Sequence, residues 1–191
     1  MRTILLLPFL LMAVGASAQL NMPVKAGLNF TQFASDPDSL ESSYRLGYNF
    51  GVDLRFGETG IFLTGCHFYR IQTQLKSKSQ IENEDSFADD VLFNTFNVPA
   101  NFGFFLYNED DFKVYIVAGM DIWIPVSVEE NSNELEILEL QPFFLSGSGM
   151  FGLQFWKISL DISYDHAFTQ LVQNNEHSKS KTWGASIGFV F

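Results

Sequence analysis

The chain has 191 residues, with 22 Asp and Glu against 11 Lys and Arg, which gives a formal net charge of −11. This acidity excludes a general nucleic-acid-binding protein, because phosphates require a basic surface. The single cysteine excludes an internal disulfide, and no apolar run reaches the roughly 20 residues of a membrane-spanning helix.

The N-terminus is typical of a cleaved secretory signal peptide. Arg2 precedes an apolar run over residues 4–14, and the small residues Ala16, Ser17 and Ala18 follow that run. This order matches the charged, apolar and cleavage regions of secretory leaders. We therefore predict a signal peptide over residues 1–18 and one mature domain over residues 19–191.

Behind the leader, apolar and polar residues alternate in short segments, which is typical of strands with one apolar face. The clearest segment covers residues 44–56, where Tyr44 and every second residue after it are apolar as far as Phe56. Segments of the same kind recur along the chain between turn-forming residues. The predicted strands cover residues 23–34, 44–56, 61–74, 92–107, 112–127, 141–155, 158–169 and 182–191.

The connections between these eight segments alternate in length. They are long after the first, third, fifth and seventh segments and short after the others. Long extracellular loops and short periplasmic turns are typical of outer-membrane barrels. We therefore predict an all-β fold, an eight-stranded antiparallel up-and-down transmembrane β-barrel in the cell outer membrane, with both termini in the periplasm and lipid against its wall.

A soluble lipocalin-like barrel is the alternative, with the apolar face turned inward around a ligand. The opposite face mixes charged side chains with Gly, Ser and Asn, which suits a narrow barrel interior better than a solvated exterior. We expect these charges to form an ion-paired network that closes the interior, and a narrow conducting path is the alternative. The predicted interior charges are Lys25, Arg45, Asp53, Arg55, Arg70, Lys113, Asp121, Asp161 and Asp165.

Two assignments concern the apolar faces. In the third segment we place Ile61, Leu63, Tyr69 and Ile71 on the lipid side, which turns Arg70 inward. Aromatic residues at the ends of strands are candidates for the girdles at bilayer interfaces. These candidates are Tyr107, Tyr115, Trp123, Tyr164 and Trp183.

The last segment carries an unbroken apolar face that ends on Phe191. A terminal aromatic strand of this kind resembles the signal that barrel-assembly machinery reads on outer-membrane proteins. We predict that Trp183, Phe189 and Phe191 form this assembly signal.

No set of residues indicates catalysis, a cofactor or a dedicated metal site. Residues 147–152 match the letters G-x-G-x-x-G, but that motif needs a helix behind it and a strand is predicted there. Asp165 and His166 are adjacent in one strand, so their side chains point to opposite faces. His67 and His166 are the positions at which loss of turnover would reveal an enzyme. Clustered acids in the long connections, such as Glu84 and Glu134, are solvated charge or sites for divalent cations or a basic partner.

Several short motifs, taken in order, resemble one known family. They are residues 24–29 (VKAGLN), 48–52 (YNFGV), 97–101 (NVPAN), 117–119 (VAG) and the terminal Phe191. In this order the chain resembles the PorT-like outer-membrane β-barrel family of Bacteroidota. The resemblance implies an integral outer-membrane barrel, and it implies a possible role beside envelope proteins, including an accessory role in type IX protein secretion.

Overall fold

The computed structural model describes residues 20–33, 40–77, 89–129, 141–170 and 179–191, and these residues form eight strands. The predicted signal peptide and most of the acidic connections lie outside the described residues. In the described ranges there is no helix that is long and apolar enough to cross a membrane. The strands are β1 Pro23–Phe33, β2 Leu40–Phe56, β3 Gly60–Ser77, β4 Asp89–Asn108, β5 Phe112–Val128, β6 Phe144–Phe155, β7 Ile158–Ala167 and β8 Ser180–Val190.

Each strand pairs antiparallel with its sequence neighbours, and β1 pairs with β8 to close the barrel. The closing seam is continuous, because Pro23 lies opposite Val190 and Phe33 opposite Ser180. Closure leaves no strand edge with unpaired amides, which is the condition for a sheet in lipid. The predicted eight-stranded antiparallel barrel is confirmed. β2 and β4 begin earlier than predicted, because backbone pairing continues past the alternating apolar stretch, as between Leu40 and Ser77.

Three tight turns gather at one end of the barrel. They connect β2 to β3, β4 to β5, and β6 to β7 through Trp156 and Lys157. Gly57, in the first turn, has a φ of 110°, which favours glycine. Residue Asn21 bridges to Arg55 at this same end. We call it the turn end, and the opposite end, where the long connections leave, the loop end.

The outer wall is apolar. Apolar side chains are exposed along seven strands, with Phe102 on β4 66% exposed. On β3 the outward Phe62 and Phe68 are half-buried by neighbouring rings. The ring centre of Phe68 lies 5.2 Å from that of Phe50, and the ring centre of Phe62 lies 4.8 Å from that of Phe102. Examples from the other strands are Leu28, Phe50, Met120, Phe151, Ile162 and Ile187. Large exposed apolar surfaces of this kind mark contact with another apolar phase.

The interior holds two apolar clusters, one towards each end. The loop-end cluster consists of Tyr69, Ile71, Phe93, Trp123, Phe144 and Ala167, and the turn-end cluster of Ile61, Leu63, Tyr115 and Val117. Buried charged and amide side chains fill the space between them. An eight-stranded barrel is narrow enough for side chains to fill it, and this interior follows that rule.

The predicted faces of β3 are wrong. Ile61, Leu63 and Ile71 are at most 2% exposed inside the barrel, whereas Cys66 is exposed on the outside. Directly paired residues on neighbouring strands share a face. Arg55 pairs with Leu63 across the tight turn, so an inward Arg55 also places Leu63 inward. Apolar residues on both faces of β3 concealed this assignment in the sequence.

Candidate functional site in the barrel interior

Lys25 is the centre of the buried charge network. Its Nζ lies 2.5 Å from Asp53 Oδ2 and 2.8 Å from Asp161 Oδ2, and all three side chains are nearly inaccessible to solvent. Alternation along β1, β2 and β7 turns each of these residues inward. One ammonium group therefore joins β1 to its neighbour β2 and to β7, which lies two strands away in the other direction around the barrel. It compensates two carboxylates that would be costly to bury alone.

Tyr115 extends this network towards the turn end. Its hydroxyl donates a short hydrogen bond to Asp161 Oδ1 and accepts one from Arg55 Nη2 at 2.7 Å. The Arg55 guanidinium also lies 4.1 Å from the centre of the Tyr115 ring, and its Nη1 donates to Gln154 Oε1 at 3.0 Å. Arg55 is thus held by a ring face and two oxygens, and no carboxylate in the described part of the chain contacts it directly.

His67 extends the network in the other direction. Its Nε2 lies 2.6 Å from Asp53 Oδ1, so Asp53 contacts both His67 and Lys25. The chain that results runs from His67 through Asp53, Lys25 and Asp161 to Tyr115. A fully connected buried network of this kind stiffens the interior, because moving one side chain breaks the bonds of its neighbours.

A second group of polar side chains lies between the Lys25 network and the loop-end cluster. Asp121 accepts hydrogen bonds from Asn97 Nδ2 at 3.0 Å and from Ser148 Oγ at 2.7 Å. The carboxyl of Asp165 is in direct contact with that of Asp121. Both carboxyls line a cavity of about 50 Å³, with Asn101 also in its wall.

Six of the nine predicted interior charges lie buried inside the barrel: Lys25, Asp53, Arg55, Asp121, Asp161 and Asp165. Arg45 and Lys113 are half-buried. Lys113 lies beside the turn end, with its Nζ 5.7 Å from the Phe105 ring.

Arg70 does not belong to the interior, and its predicted placement is wrong. It pairs with Tyr48 on the outward face of the wall, because β3 has the opposite face assignment from the one expected. Its Nη2 lies 2.6 Å from Glu129 Oε1 near the loop end. Both side chains are substantially exposed, so this ion pair contributes little to stability.

Sequence reasoning missed three members of the interior network: His67, Tyr115 and Gln154. The sequence did contain a signal for His67. The tight turn after β2 fixes the register of β3 and pairs His67 with Gly51, which shares the inward face of β2 with Asp53. Paired residues share a face, so His67 also points inward. Gln154 shares the inward face of β6 with Gly152, but nothing in the local sequence identifies its partner across the barrel. That partner, Arg55, is 99 residues away in the chain.

The girdle assignment is wrong for Trp123 and Tyr115, which are 2% and 0% exposed inside the barrel. They share the inward face of β5 with Asp121, and Trp123 Nε1 donates to Ser146 Oγ at 2.8 Å. Tyr107 and Trp183 are exposed on the outer wall. The outward ring of Tyr164 lies 4.6 Å from that of Trp183.

The remaining sequence features have simple places in the fold. Residues 147–152, which match G-x-G-x-x-G, lie within β6, and the strand β7 follows. His166 is half-buried next to Phe168, and the two rings are 6.4 Å apart. Phe189 and Phe191 are exposed, with ring centres 5.0 Å apart.

The described residues contain no cluster of three or more His, Cys, Asp or Glu side chains arranged to bind a metal.

No protein-family model and no curated protein matches this chain. Solved structures do match. The outer membrane protein OprG from Pseudomonas aeruginosa aligns with a TM-score of 0.54 and 9% identity, covering 91% of this chain and 97% of OprG. Neisserial surface protein A (NspA) aligns with a TM-score of 0.50 and 12% identity, covering 89% of this chain and 97% of NspA. At these identities the likeness establishes the fold, which is that of small outer-membrane β-barrels.

Proposed function

We propose that this chain is a non-enzymatic integral outer-membrane protein with a closed interior, acting as a structural or surface barrel. The observation that carries the proposal is the reversal of polarity across the wall, with apolar side chains outside and ion pairs inside. A soluble ligand-binding barrel has the opposite arrangement. The fold shared with OprG and NspA supports the same placement.

The closed interior is supported by what fills each level of the barrel. The turn-end cluster and Arg55 occupy one level, the Lys25 network the next, and the loop-end cluster the far end. The cavity of about 50 Å³ between them has room for a few water molecules, given that one water needs about 10–15 Å³. A hydrated ion crossing the barrel would have to displace several mutually bonded side chains.

Planar lipid bilayers test whether the interior conducts. We expect the purified wild-type barrel to produce no stepwise currents. Discrete currents that Asp121→Asn alters and Asp110→Asn leaves unchanged would contradict the proposal. Asp121 is buried inside the barrel whereas Asp110 lies in an exposed turn, so this pair separates conduction through the interior from leakage around the protein.

The orientation we propose places the turn end and both termini in the periplasm, with the acidic connections outside the cell. Longer extracellular loops are the rule for such barrels. Protease added to intact cells tests this, because a cleavage site inserted in residues 130–140 should be cut and one in residues 109–111 should be protected. The reverse result would invert the orientation.

An accessory role in type IX secretion rests on the PorT-like resemblance in the sequence. Its test is purification of the tagged chain from native membranes under mild detergent. Recovery of secretion subunits in stoichiometric amounts supports that role, and recovery of the barrel alone supports a structural or surface role.

A further inference from the structure

We propose that the outer wall binds the anionic phosphate headgroup of a membrane lipid where β1, β8 and β7 reach the loop end, with Lys181 and His166 holding the phosphate. The proposal rests on the placement of the outer wall in lipid. It does not depend on whether the interior conducts or on which side of the membrane the loop end faces. Three observations carry it: the order of side chains on this part of the wall, their depth, and the charge of Lys181.

Polar side chains form a row across three neighbouring strands of the outer wall. Gln32 on β1 pairs with Lys181 on β8, and Lys181 pairs with His166 on β7. Directly paired residues share a face, and Lys181 lies two residues from the exposed Trp183, so the row points outward. Lys181 is exposed, and Gln32 and His166 are half-buried. The row therefore presents an amide, an ammonium group and an imidazole to the surroundings of the barrel.

An aromatic row lies directly beneath the polar row. It consists of Phe30, Trp183 and Tyr164, each two residues nearer the turn end on the same three strands. Trp183 is 48% exposed, and its ring centre lies 4.6 Å from that of Tyr164. Trp and Tyr are enriched where the apolar layer of a bilayer meets its headgroups. The order of the two rows is therefore that of a headgroup above a hydrocarbon layer.

The length of β7 gives the depth of both rows. β7 has 10 residues, which matches the roughly 9–11 residues of a tilted strand that crosses a membrane. His166 is the next-to-last residue of β7, so it lies with Lys181 at the edge of the apolar layer. The phosphate groups of membrane lipids lie at the same depth.

The charge of Lys181 is not compensated by an acidic side chain in the described part of the chain. Its ammonium group makes no salt bridge or hydrogen bond there, and the acids of β7, Asp161 and Asp165, face the interior. By contrast, Arg70 on the loop-end half of β3 has Glu129 Oε1 at 2.6 Å. A cation beside an apolar wall is stabilised by an anion, and the lipid phosphate is the anion at this depth. Phosphate oxygens accept charge-assisted hydrogen bonds from both ammonium and imidazole groups.

A depression in the wall beside the two rows has room for an acyl chain. Gly149 on β6 pairs with Tyr164 on β7 and with Ala118 on β5, and all three face outward. A Cβ added at Gly149 would meet no atom within 4 Å, so the wall is open there. A lipid whose phosphate contacts Lys181 and His166 can lay a chain against the Tyr164 ring and into this depression. The charge of the polar row identifies the ligand, and the depression adds apolar contact.

Quenching of Trp183 fluorescence measures which lipid lies at this site. The chain has three tryptophans. Trp123 is buried inside the barrel, and Trp156→Phe removes the exposed one at the turn end, so Trp183 alone reports on lipid. This reporter barrel is reconstituted in vesicles of phosphatidylcholine with a minor fraction of phosphatidylglycerol. Bromine atoms, which quench on contact, are carried on the acyl chains of one lipid or of the other at the same composition. Phosphatidylcholine is the zwitterionic reference, because its choline cation compensates its phosphate.

We expect phosphatidylglycerol to be enriched about fivefold beside Trp183, since one lysine near an anionic lipid surface contributes about 1 kcal/mol. Lys181→Gln combined with His166→Gln should remove this preference. Lys157→Gln is the matched control. It removes an exposed lysine at the turn end, where Lys157 Nζ lies 5.9 Å from the Phe189 ring, and should leave the preference at Trp183 unchanged.

Three results would overturn the proposal. Equal enrichment of the two lipids beside Trp183 in the reporter barrel would show that the site does not select an anionic headgroup, and this comparison needs no replacement at Lys181 or His166. A preference that survives the double replacement would assign the selection to other charges. Loss of the preference in inorganic phosphate, but not in chloride at the same ionic strength, would identify a site for free phosphate instead of a lipid.

Discussion

Replacing Lys25 with Met removes the one cation that contacts both Asp53 and Asp161, while keeping a side chain of similar length in the barrel. Asp53 would retain His67, and Asp161 would retain the Tyr115 hydroxyl. Neither neighbour supplies a permanent positive charge, so two carboxylates stay buried without compensation. Removing one partner of a buried ion pair costs about 3–5 kcal/mol, and we expect Lys25→Met to destabilise the barrel by that amount.

The measurement is denaturant unfolding of the barrel in lipid vesicles, followed by tryptophan fluorescence and gel mobility. Lys113→Met is the matched control, because Lys113 is half-buried and contacts the Phe105 ring. Its loss should cost about 1 kcal/mol or less. The triple variant Lys25→Met with Asp53→Asn and Asp161→Asn removes the uncompensated charges and should recover most of the stability. Equal losses for Lys25→Met and Lys113→Met would refute the central role of Lys25.

Three further predictions concern the wall, its packing and its assembly. Ile162→Arg, mid-strand on the lipid side, should lower the free energy of unfolding in vesicles by about 2–4 kcal/mol. Ile158→Arg, beside a turn, should lower it by about 1 kcal/mol or less, and equal losses for the two variants would contradict the assigned depths. Gly103→Ala should lower the free energy of unfolding by about 1–3 kcal/mol, because the new Cβ meets the backbone of the next strand. Gly149→Ala meets nothing within 4 Å and should leave the free energy of unfolding unchanged in the same titration. Phe191→Ala should reduce the amount of barrel in the outer membrane of cells yet refold normally in vesicles, and normal cellular assembly would exclude its role as a signal.

Much of the fold follows from local patterns. The alternation in residues 44–56 predicts both the position of β2 and the outward face that carries Phe50, because a thin wall between lipid and a polar interior imposes a period of two. The same rule failed on β3. There Phe62 faces lipid while Leu63 packs inside, so both faces are apolar and periodicity cannot distinguish them.

The interior site was predictable as a set of inward charges but not as a set of contacts. Asp53 and Asp161 could be assigned to the interior from their strands alone. Their common partner, Lys25, could not be identified, since nothing within one strand records which residues lie across the barrel. His67 and Gln154 were not among the charged residues counted from the sequence, and they join the network because of their positions in the fold.

By itself the sequence determined the number of strands, the alternation of their connections and the polarity of most of the wall, because each depends on neighbours within one segment. The tertiary structure decided which charges meet, which aromatic rings close the ends, and that the carboxyls of Asp121 and Asp165 lie side by side. The physical reason is that a barrel's diameter and strand stagger are set by all eight strands together. Contacts across the interior depend on both, and no single segment contains that information.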